Sequence, residues 1–202
     1  QRHEIGFHEG VANALLVEHF ETTVGIPGGR VFLPLCGKTR DIGWFLARGY
    51  RVAGAELSRL AVEQLFEELD IVPEVTDLGG LTRCGASGVD IFVGDLFDLT
   101  ADTLGPVDAV YDRAALVALP AAMRRRYAAH LRQITEAAPQ FLISLEYDQS
   151  RMDGPPFAVS GEEIHRLYGD HYHPTRLVSA EVAGGLKGRC PASEHVWLLR
   201  AA

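Results

Sequence analysis

Cysteine is scarce in this 202-residue sequence. The three cysteines, Cys36, Cys84 and Cys190, are an odd number, and no two of them form a CxxC pair. This pattern argues against a disulfide framework and against a zinc knuckle, and it favours reduced thiols. We therefore expect a cytoplasmic protein.

Long apolar runs and an excess of basic residues are missing as well. No run approaches the length of a membrane span and no signal peptide is visible, so no membrane partner is expected. The 19 basic residues are outnumbered by 27 acidic ones, which gives a net charge of −8. A nucleic acid is an unfavourable main partner for such an acidic chain. A monomer is the default expectation.

Apolar segments and helical patterns alternate along the chain. This alternation predicts an α/β fold with a doubly wound, mostly parallel seven-stranded sheet. No helix separates the last two strands, near Thr175–Val182 and His195–Arg200, so we expect them to pair antiparallel at one edge. Another hairpin is predicted between residues 81 and 93. No linker or repeat interrupts the pattern, so a single domain over residues 1–202 is expected.

The stretch Val31–Ser58 predicts a strand, a glycine turn, a helix and a second strand. The first strand stops at Cys36-Gly37, and the second ends at Glu56. Glu56 lies 19 positions after Gly37, where nucleotide-binding β-α-β units keep the acid that holds ribose hydroxyls. This spacing predicts a ligand with an adenosine half.

Three kinds of ligand compete for this turn. A P-loop requires a glycine five positions before Gly37, and Phe32 stands there. A dinucleotide site requires GxGxxG, and the turn keeps one glycine only. A ligand without phosphates, such as S-adenosylmethionine, fits best, because it needs one close backbone approach and an acid for its ribose.

Other polar residues follow the later strands, and ligands of such sheets bind at the carboxyl ends of the strands. Asp95 is suited to accept a hydrogen bond from an exocyclic amine, while Leu96 and Phe97 are suited to pack on a flat base. The pair Asp112-Arg113 follows the next strand. Asp112 has two interpretations, a catalytic group or a cap of the following segment.

The chain resembles the thiopurine S-methyltransferase family, within the class I S-adenosylmethionine-dependent methyltransferases. The resemblance rests on VFLPLCGK (Val31–Lys38), GAELS (Gly54–Ser58), GDLFDL (Gly94–Leu99), YDRAALVA (Tyr111–Ala118) and GPPFAV (Gly154–Val159). It implies methyl transfer from S-adenosylmethionine to the sulfur of an aromatic or heterocyclic thiol, with S-adenosylhomocysteine as the second product. Two alternatives stay open: a methyltransferase for selenium or tellurium species or a halide, and a non-catalytic S-adenosylmethionine sensor.

The resemblance also implies roles for individual residues. Cofactor contacts fall on Phe7, Leu35, Gly37, Glu56, Asp95, Leu96 and Arg113. Residues 1–30 would form a segment that covers the cofactor. Arg113 would lie near the acceptor sulfur, where its charge would favour the thiolate, with Asp112 as its catalytic neighbour. Phe157 would line the acceptor pocket, and either Lys187 or Arg189 would supply a cation near the acceptor.

Other reactive-looking residues have simpler interpretations. Cys36 is expected to be a small, partly buried turn residue, since this chemistry needs no covalent intermediate. His165, His171, His173 and His195 are expected at the surface, with no metal site. Arg124-Arg125-Arg126 is expected to be a solvated helix face.

Overall fold

The computed structural model describes residues 11–202. Within this range nine strands form one sheet, in the order β3-β4-β5-β2-β1-β6-β7-β9-β8. The strands are β1 (Arg30–Pro34), β2 (Arg51–Glu56), β3 (Glu74–Asp77), β4 (Thr82–Ala86), β5 (Val89–Val93), β6 (Ala109–Arg113), β7 (Gln140–Tyr147), β8 (Tyr172–Glu181) and β9 (Ala192–Ala201).

The centre of the sheet is parallel and both of its sides are antiparallel. Strands β5, β2, β1, β6 and β7 pair in parallel. The predicted antiparallel pairing of the last two strands is confirmed, and so is the hairpin of β4 and β5. The predicted number of seven strands is wrong: the sheet has nine, and β3 extends it beyond the hairpin of β4 and β5. Strand β3 has the sequence EVTD, with one apolar residue, so it lacks the apolar run by which strands are recognised.

Helices cover both faces of the sheet, which confirms the doubly wound α/β arrangement. Those of residues 11–202 are α1 (Ala14–Val24), α2 (Asp41–Ala47), α3 (Arg59–Glu68), α4 (Ala101–Leu104), α5 (Ala121–Ile134) and α6 (Gly161–Tyr168). The apolar sides of α1, α2 and α3 join one core cluster, and those of α4, α5 and α6 join the other. None of these helices is long and apolar enough to cross a bilayer.

Helix α1 packs on the sheet through two fully buried side chains, Leu16 and Phe20. The Phe20 ring lies 4.9 to 6.3 Å, centroid to centroid, from five other aromatic rings. They belong to Trp44, Phe45, Tyr50, Tyr111 and Phe141. The helix start is fixed as well, because the Asn13 N–H and the Tyr111 hydroxyl both donate to the buried Asp41 carboxylate, at 2.8 and 3.0 Å.

Two side chains that helical spacing places in the core are exposed instead. Leu60 and Met123 are 62% and 40% exposed. Both lie in the first turn of their helices, α3 and α5, next to the loops that follow the parallel strands.

Candidate active site

The order in which strands are added to the sheet reverses between β1 and β6, and open α/β sheets form a ligand crevice at such a point. From β1 the sheet continues through β2 on one side, and from β6 it continues through β7 on the other. Because these strands are parallel, their carboxyl ends share one edge of the sheet. The predicted residues Gly37, Glu56, Asp95 and Arg113 therefore lie at one edge.

The turn after β1 is built from two left-handed residues. Leu35 has φ +46° and Gly37 has φ +55°. The left-handed region costs a non-glycine residue on the order of 1–2 kcal/mol, so the conformation of Leu35 is held by its surroundings. One such restraint is the hydrogen bond from the Cys36 N–H to the Ala55 carbonyl, at 3.0 Å. A Cβ on Gly37 would meet no atom within 4 Å, so the turn faces open space.

The Cys36 side chain packs inward beneath this turn. The residue is 8% exposed, which confirms the predicted burial. Burial raises the pKa of the Cys36 thiol far above its usual range, and the nearby Glu56 charge adds to this effect. A Cβ on Gly54 would lie 2.9 Å from the Cys36 sulfur, so glycine in β2 leaves the space that the thiol fills.

The Glu56 carboxylate is fixed by two backbone groups. Oε2 accepts a hydrogen bond from the Gly37 N–H and Oε1 accepts one from the Ser58 N–H, both at 2.8 Å. A carboxylate has about four acceptor positions, so two remain for further donors. The acid is thus oriented next to the glycine turn, where two ribose hydroxyls would find acceptors.

The segment after β5 is held from below by helix α5. Asp95 is exposed, and its Oδ1 accepts a hydrogen bond from the Phe97 N–H at 2.9 Å. Leu96 is 4% exposed, and its carbonyl lies 2.8 Å from His130 Nε2. The Arg126 guanidinium lies 3.7 Å from the centre of the Phe97 ring. One face of that ring is therefore covered, and a base would have to pack against the remaining surface.

The two residues of the Asp112-Arg113 pair point to opposite faces of β6. Arg113 is half-buried at the end of the strand. Asp112 is 0% exposed, and its carboxylate accepts hydrogen bonds from the Tyr127 hydroxyl (2.8 Å) and the Leu116 N–H (3.1 Å). Burial raises the pKa of Asp112 to about 6, against the lowering effect of these hydrogen bonds. A carboxylate enclosed in this way is inaccessible to a ligand in the crevice, so the geometry supports the capping interpretation rather than a catalytic one.

The two cations proposed for the acceptor lie in different places. Lys187 Nζ donates to the Pro155 carbonyl at 3.3 Å, in the loop that carries the half-buried Phe157. Arg189 lines a cavity of about 570 Å³ together with Glu146, at the end of β7. The loop that carries Phe157 is anchored by the hydrogen bond from the Phe157 N–H to the Val117 carbonyl, at 2.6 Å.

Arg124 corrects the prediction of a solvated arginine face. It is 3% exposed, and its Nη1 donates to Glu163 Oε2 at 2.7 Å and to the Ala158 carbonyl at 3.2 Å. Arg124 therefore ties α5 to α6 and to the loop of Phe157. The sequence carries a signal for this burial, because Arg124 precedes the buried Tyr127 by three positions and so lies on the same helix face.

His195 also differs from its predicted surface position. It is 6% exposed, and its Nε2 lies 3.3 Å from Glu146 Oε2. Within residues 11–202 no group of three or more His, Cys, Asp and Glu side chains is arranged to hold a metal ion. The predicted contact Phe7 lies outside the described residues.

The chain matches known proteins over nearly its whole length. The family model of thiopurine S-methyltransferase (TPMT) matches residues 1–198. A thiopurine S-methyltransferase of Xanthobacter autotrophicus is 63% identical over 98% of this chain and 92% of its own. One of Gluconobacter oxydans is 49% identical over 98% and 90%.

Solved structures with the same fold are much more distant in sequence. The glycopeptide N-methyltransferase MtfA, complexed with S-adenosylhomocysteine, has a TM-score of 0.60 at 14% identity, over 95% of this chain and 92% of its own. The 1,6-didemethyltoxoflavin-N1-methyltransferase of Burkholderia thailandensis, bound to 1,6-didemethyltoxoflavin and S-adenosylhomocysteine, has a TM-score of 0.60 at 16% identity, over 90% and 75%.

Proposed function

The chain belongs to the thiopurine S-methyltransferase family and is an S-adenosylmethionine-dependent methyltransferase, and we propose that it methylates the sulfur of small aromatic or heterocyclic thiols. The observation that carries this proposal is the juxtaposition at one sheet edge of the oriented Glu56 carboxylate, the open turn at Gly37 and the Arg113 cation. The first two fit an adenosine-bearing ligand, and the third fits an anionic acceptor.

The residues of the crevice fit S-adenosylmethionine. Glu56 keeps two acceptor positions for a ribose diol, and the turn of Leu35 and Gly37 leaves open space for the methionine portion. Asp95 and Leu96, in the segment after β5, would contact the adenine. Phe7 and the segment 1–30 would cover the bound cofactor. When bound, S-adenosylmethionine supplies a methyl carbon activated by a positive sulfonium.

Arg113 would act on the acceptor through its charge. An opposite charge nearby favours the ionised form of a thiol, and the thiolate is the better nucleophile. Alignment of this sulfur and exclusion of water then suffice for an in-line displacement. Asp112 takes no part in proton transfer in this proposal. It holds the segment after β6, and with it Arg113, through its bonds to Leu116 and Tyr127.

The acceptor itself would lie against the loop of Phe157. This ring is half-buried at the crevice side of α5, and an aromatic or heterocyclic thiol would pack on it. Lys187 is the cation that we assign to this side, because its Nζ already contacts the loop at Pro155. Arg189 faces the neighbouring cavity at Glu146.

Calorimetry and methyl-transfer assays test the proposal. We expect S-adenosylhomocysteine to bind the wild-type protein, Glu56→Ala to weaken binding at least about tenfold, and the exposed control Glu67→Gln to leave binding unchanged. The acceptor panel is 6-mercaptopurine, thiophenol and selenite. Turnover of both thiols supports the proposal. Turnover of selenite alone, or binding without turnover of any acceptor, would contradict it in favour of a selenium methyltransferase or a sensor.

Arg113 has a separate test. If its charge favours the thiolate, Arg113→Ala should shift the rise of kcat/KM to higher pH, and Arg113→Lys should restore most of the activity. Wild-type kcat/KM at all pH values in both variants would refute the electrostatic role.

A further inference from the structure

The three consecutive arginines of α5 lie in three different environments. Arg124 forms the buried ion pair with Glu163, and Arg126 covers the ring of Phe97. Arg125 instead lines a cavity of about 130 Å³ between α5 and α6. The other walls of this cavity are formed by Ala128, Ala129, Arg132, Arg166, Leu167, Tyr168, Asp170, His171 and Tyr172.

The charge of this cavity is unusual for an acidic protein. Three arginines and His171 line it, together with a single acid, Asp170. Among the residues that the structure describes, neither Arg125 nor Arg132 lies within ion-pair distance of a carboxylate. Asp170 likewise forms no ion pair with a described cation. Arg166 has one weak contact, 3.9 Å from Glu163 Oε1. The chain has 27 acidic residues, yet Arg125 and Arg132 have no acidic partner among the described residues.

Two residues of the cavity wall, Arg132 and Tyr168, each carry a buried polar atom without a hydrogen-bond partner in the described part of the chain. Arg132 Nε has no hydrogen-bond partner in the described part of the chain, although it is screened from solvent. A buried donor without a partner destabilises the folded protein, and an acceptor in the cavity would remove that penalty. Part of the cavity wall is buried, since the lining residues Ala128 and Tyr172 are 3% and 1% exposed. A buried wall weakens solvent screening and so strengthens the attraction between an arginine and an anion.

We propose that this cavity binds a small phosphate-type oxyanion, either inorganic phosphate or the phosphate group of a small ester. Arginine suits such a ligand because its planar group donates two parallel hydrogen bonds to phosphate oxygens. The volume of about 130 Å³ is below the roughly 300–1,000 Å³ of pockets for drug-sized ligands, which favours a single anionic group.

The site is remote from the methyl-transfer crevice. Arg132 lies in the last turn of α5, and Tyr172 begins β8. The Tyr172 hydroxyl accepts a hydrogen bond from Gln140, the first residue of β7, at 3.1 Å. This places the cavity at the amino ends of the parallel strands, whereas Glu56 and Arg113 lie at their carboxyl ends.

The test is a phosphate titration at constant ionic strength, with chloride as the balancing anion. We expect saturable calorimetric binding of inorganic phosphate or glycerol phosphate to the wild-type protein. The tighter of the two identifies the source. The double variant Arg125→Gln/Arg132→Gln should bind at least about tenfold more weakly. Arg51→Gln, an exposed arginine at the start of β2, is the matched control and should bind as the wild type does.

Three results would overturn the proposal. They are the absence of saturable phosphate binding by the wild type, equal binding by the double variant, and selective binding of a nucleic acid in place of the small anions. If the double variant fails to fold, Arg166→Gln replaces it, because this side chain is exposed and its weak ion pair is dispensable. Calorimetry with S-adenosylhomocysteine on each variant checks the fold and keeps the outcome separate from that of the methyl-transfer assays.

Discussion

Replacement of Asp112 by asparagine tests the enclosed carboxylate beneath the crevice. Asparagine keeps the shape and an oxygen that accepts from the Leu116 N–H. The Tyr127 hydroxyl, which now donates to Asp112, can turn to accept from the new amide. The variant therefore removes the titratable group and leaves the packing of β6 on α5 in place.

The expected magnitude follows from the pKa of Asp112, which burial raises from 3.8 to about 6. Since a pKa difference of about 1 corresponds to about 1.4 kcal/mol, a difference of about 2 corresponds to about 3 kcal/mol of stability. Because the folded protein keeps a proton that the unfolded chain releases, this contribution is complete below pH 4. The contribution is lost as the pH rises from about 4 to about 6, and the free energy of unfolding shows no further change from this group at higher pH.

Urea unfolding of the wild type and of Asp112→Asn between pH 4 and pH 7.5 measures this effect. The free energy of unfolding of the variant minus that of the wild type should rise by about 3 kcal/mol across this range, because the shared titrations of other groups cancel. A difference that stays constant, or that falls with pH, would refute the reasoning. Unchanged binding of S-adenosylhomocysteine would show that the crevice is intact.

Three further substitutions test packing around the site. Arg124→Ala leaves the largely buried Glu163 with only its weak contact to Arg166 and should lower the free energy of unfolding in urea by about 3–5 kcal/mol. Arg125→Ala on the exposed face should change this free energy by less than about 0.5 kcal/mol. Gly54→Ala places a methyl group 2.9 Å from the Cys36 sulfur and should lower the free energy of unfolding by about 1–3 kcal/mol. The control Gly43→Ala in α2 should leave this free energy unchanged or raise it. Equal melting temperatures of the two variants would contradict this. Cys36→Ser should keep methyl transfer, and loss of activity in a folded variant would contradict its packing role.

The sequence predicted the parts of the site that depend on neighbouring residues along the chain. The strand, the glycine turn and the distance from Gly37 to Glu56 are all properties of one β-α-β unit. The antiparallel pairing of β8 and β9 follows from the missing helix between them. Local rules of this kind need no knowledge of distant contacts.

Other features depend on contacts between distant segments, and the sequence left them open or gave them wrongly. Arg124 is buried because Glu163, 39 positions later, supplies the matching charge. The alternation of β6 separates Asp112 from Arg113, but it does not say which face meets α5 and which meets the crevice. His195 is buried because β9 inserts between β7 and β8, which residue spacing alone does not indicate.

The two outer strands of the sheet have consequences for aggregation. An exposed edge offers unpaired N–H and C=O groups to which a second chain can add a strand. At one edge, β3 has only four residues, of which most are exposed and polar. At the other, β8 carries Pro174, which lacks an N–H, and a bulge between Arg176 and Val178 interrupts its ladder. Neither edge presents a long, flat template, so the protein can extend its sheet to nine strands without inviting fibre-like stacking of its copies.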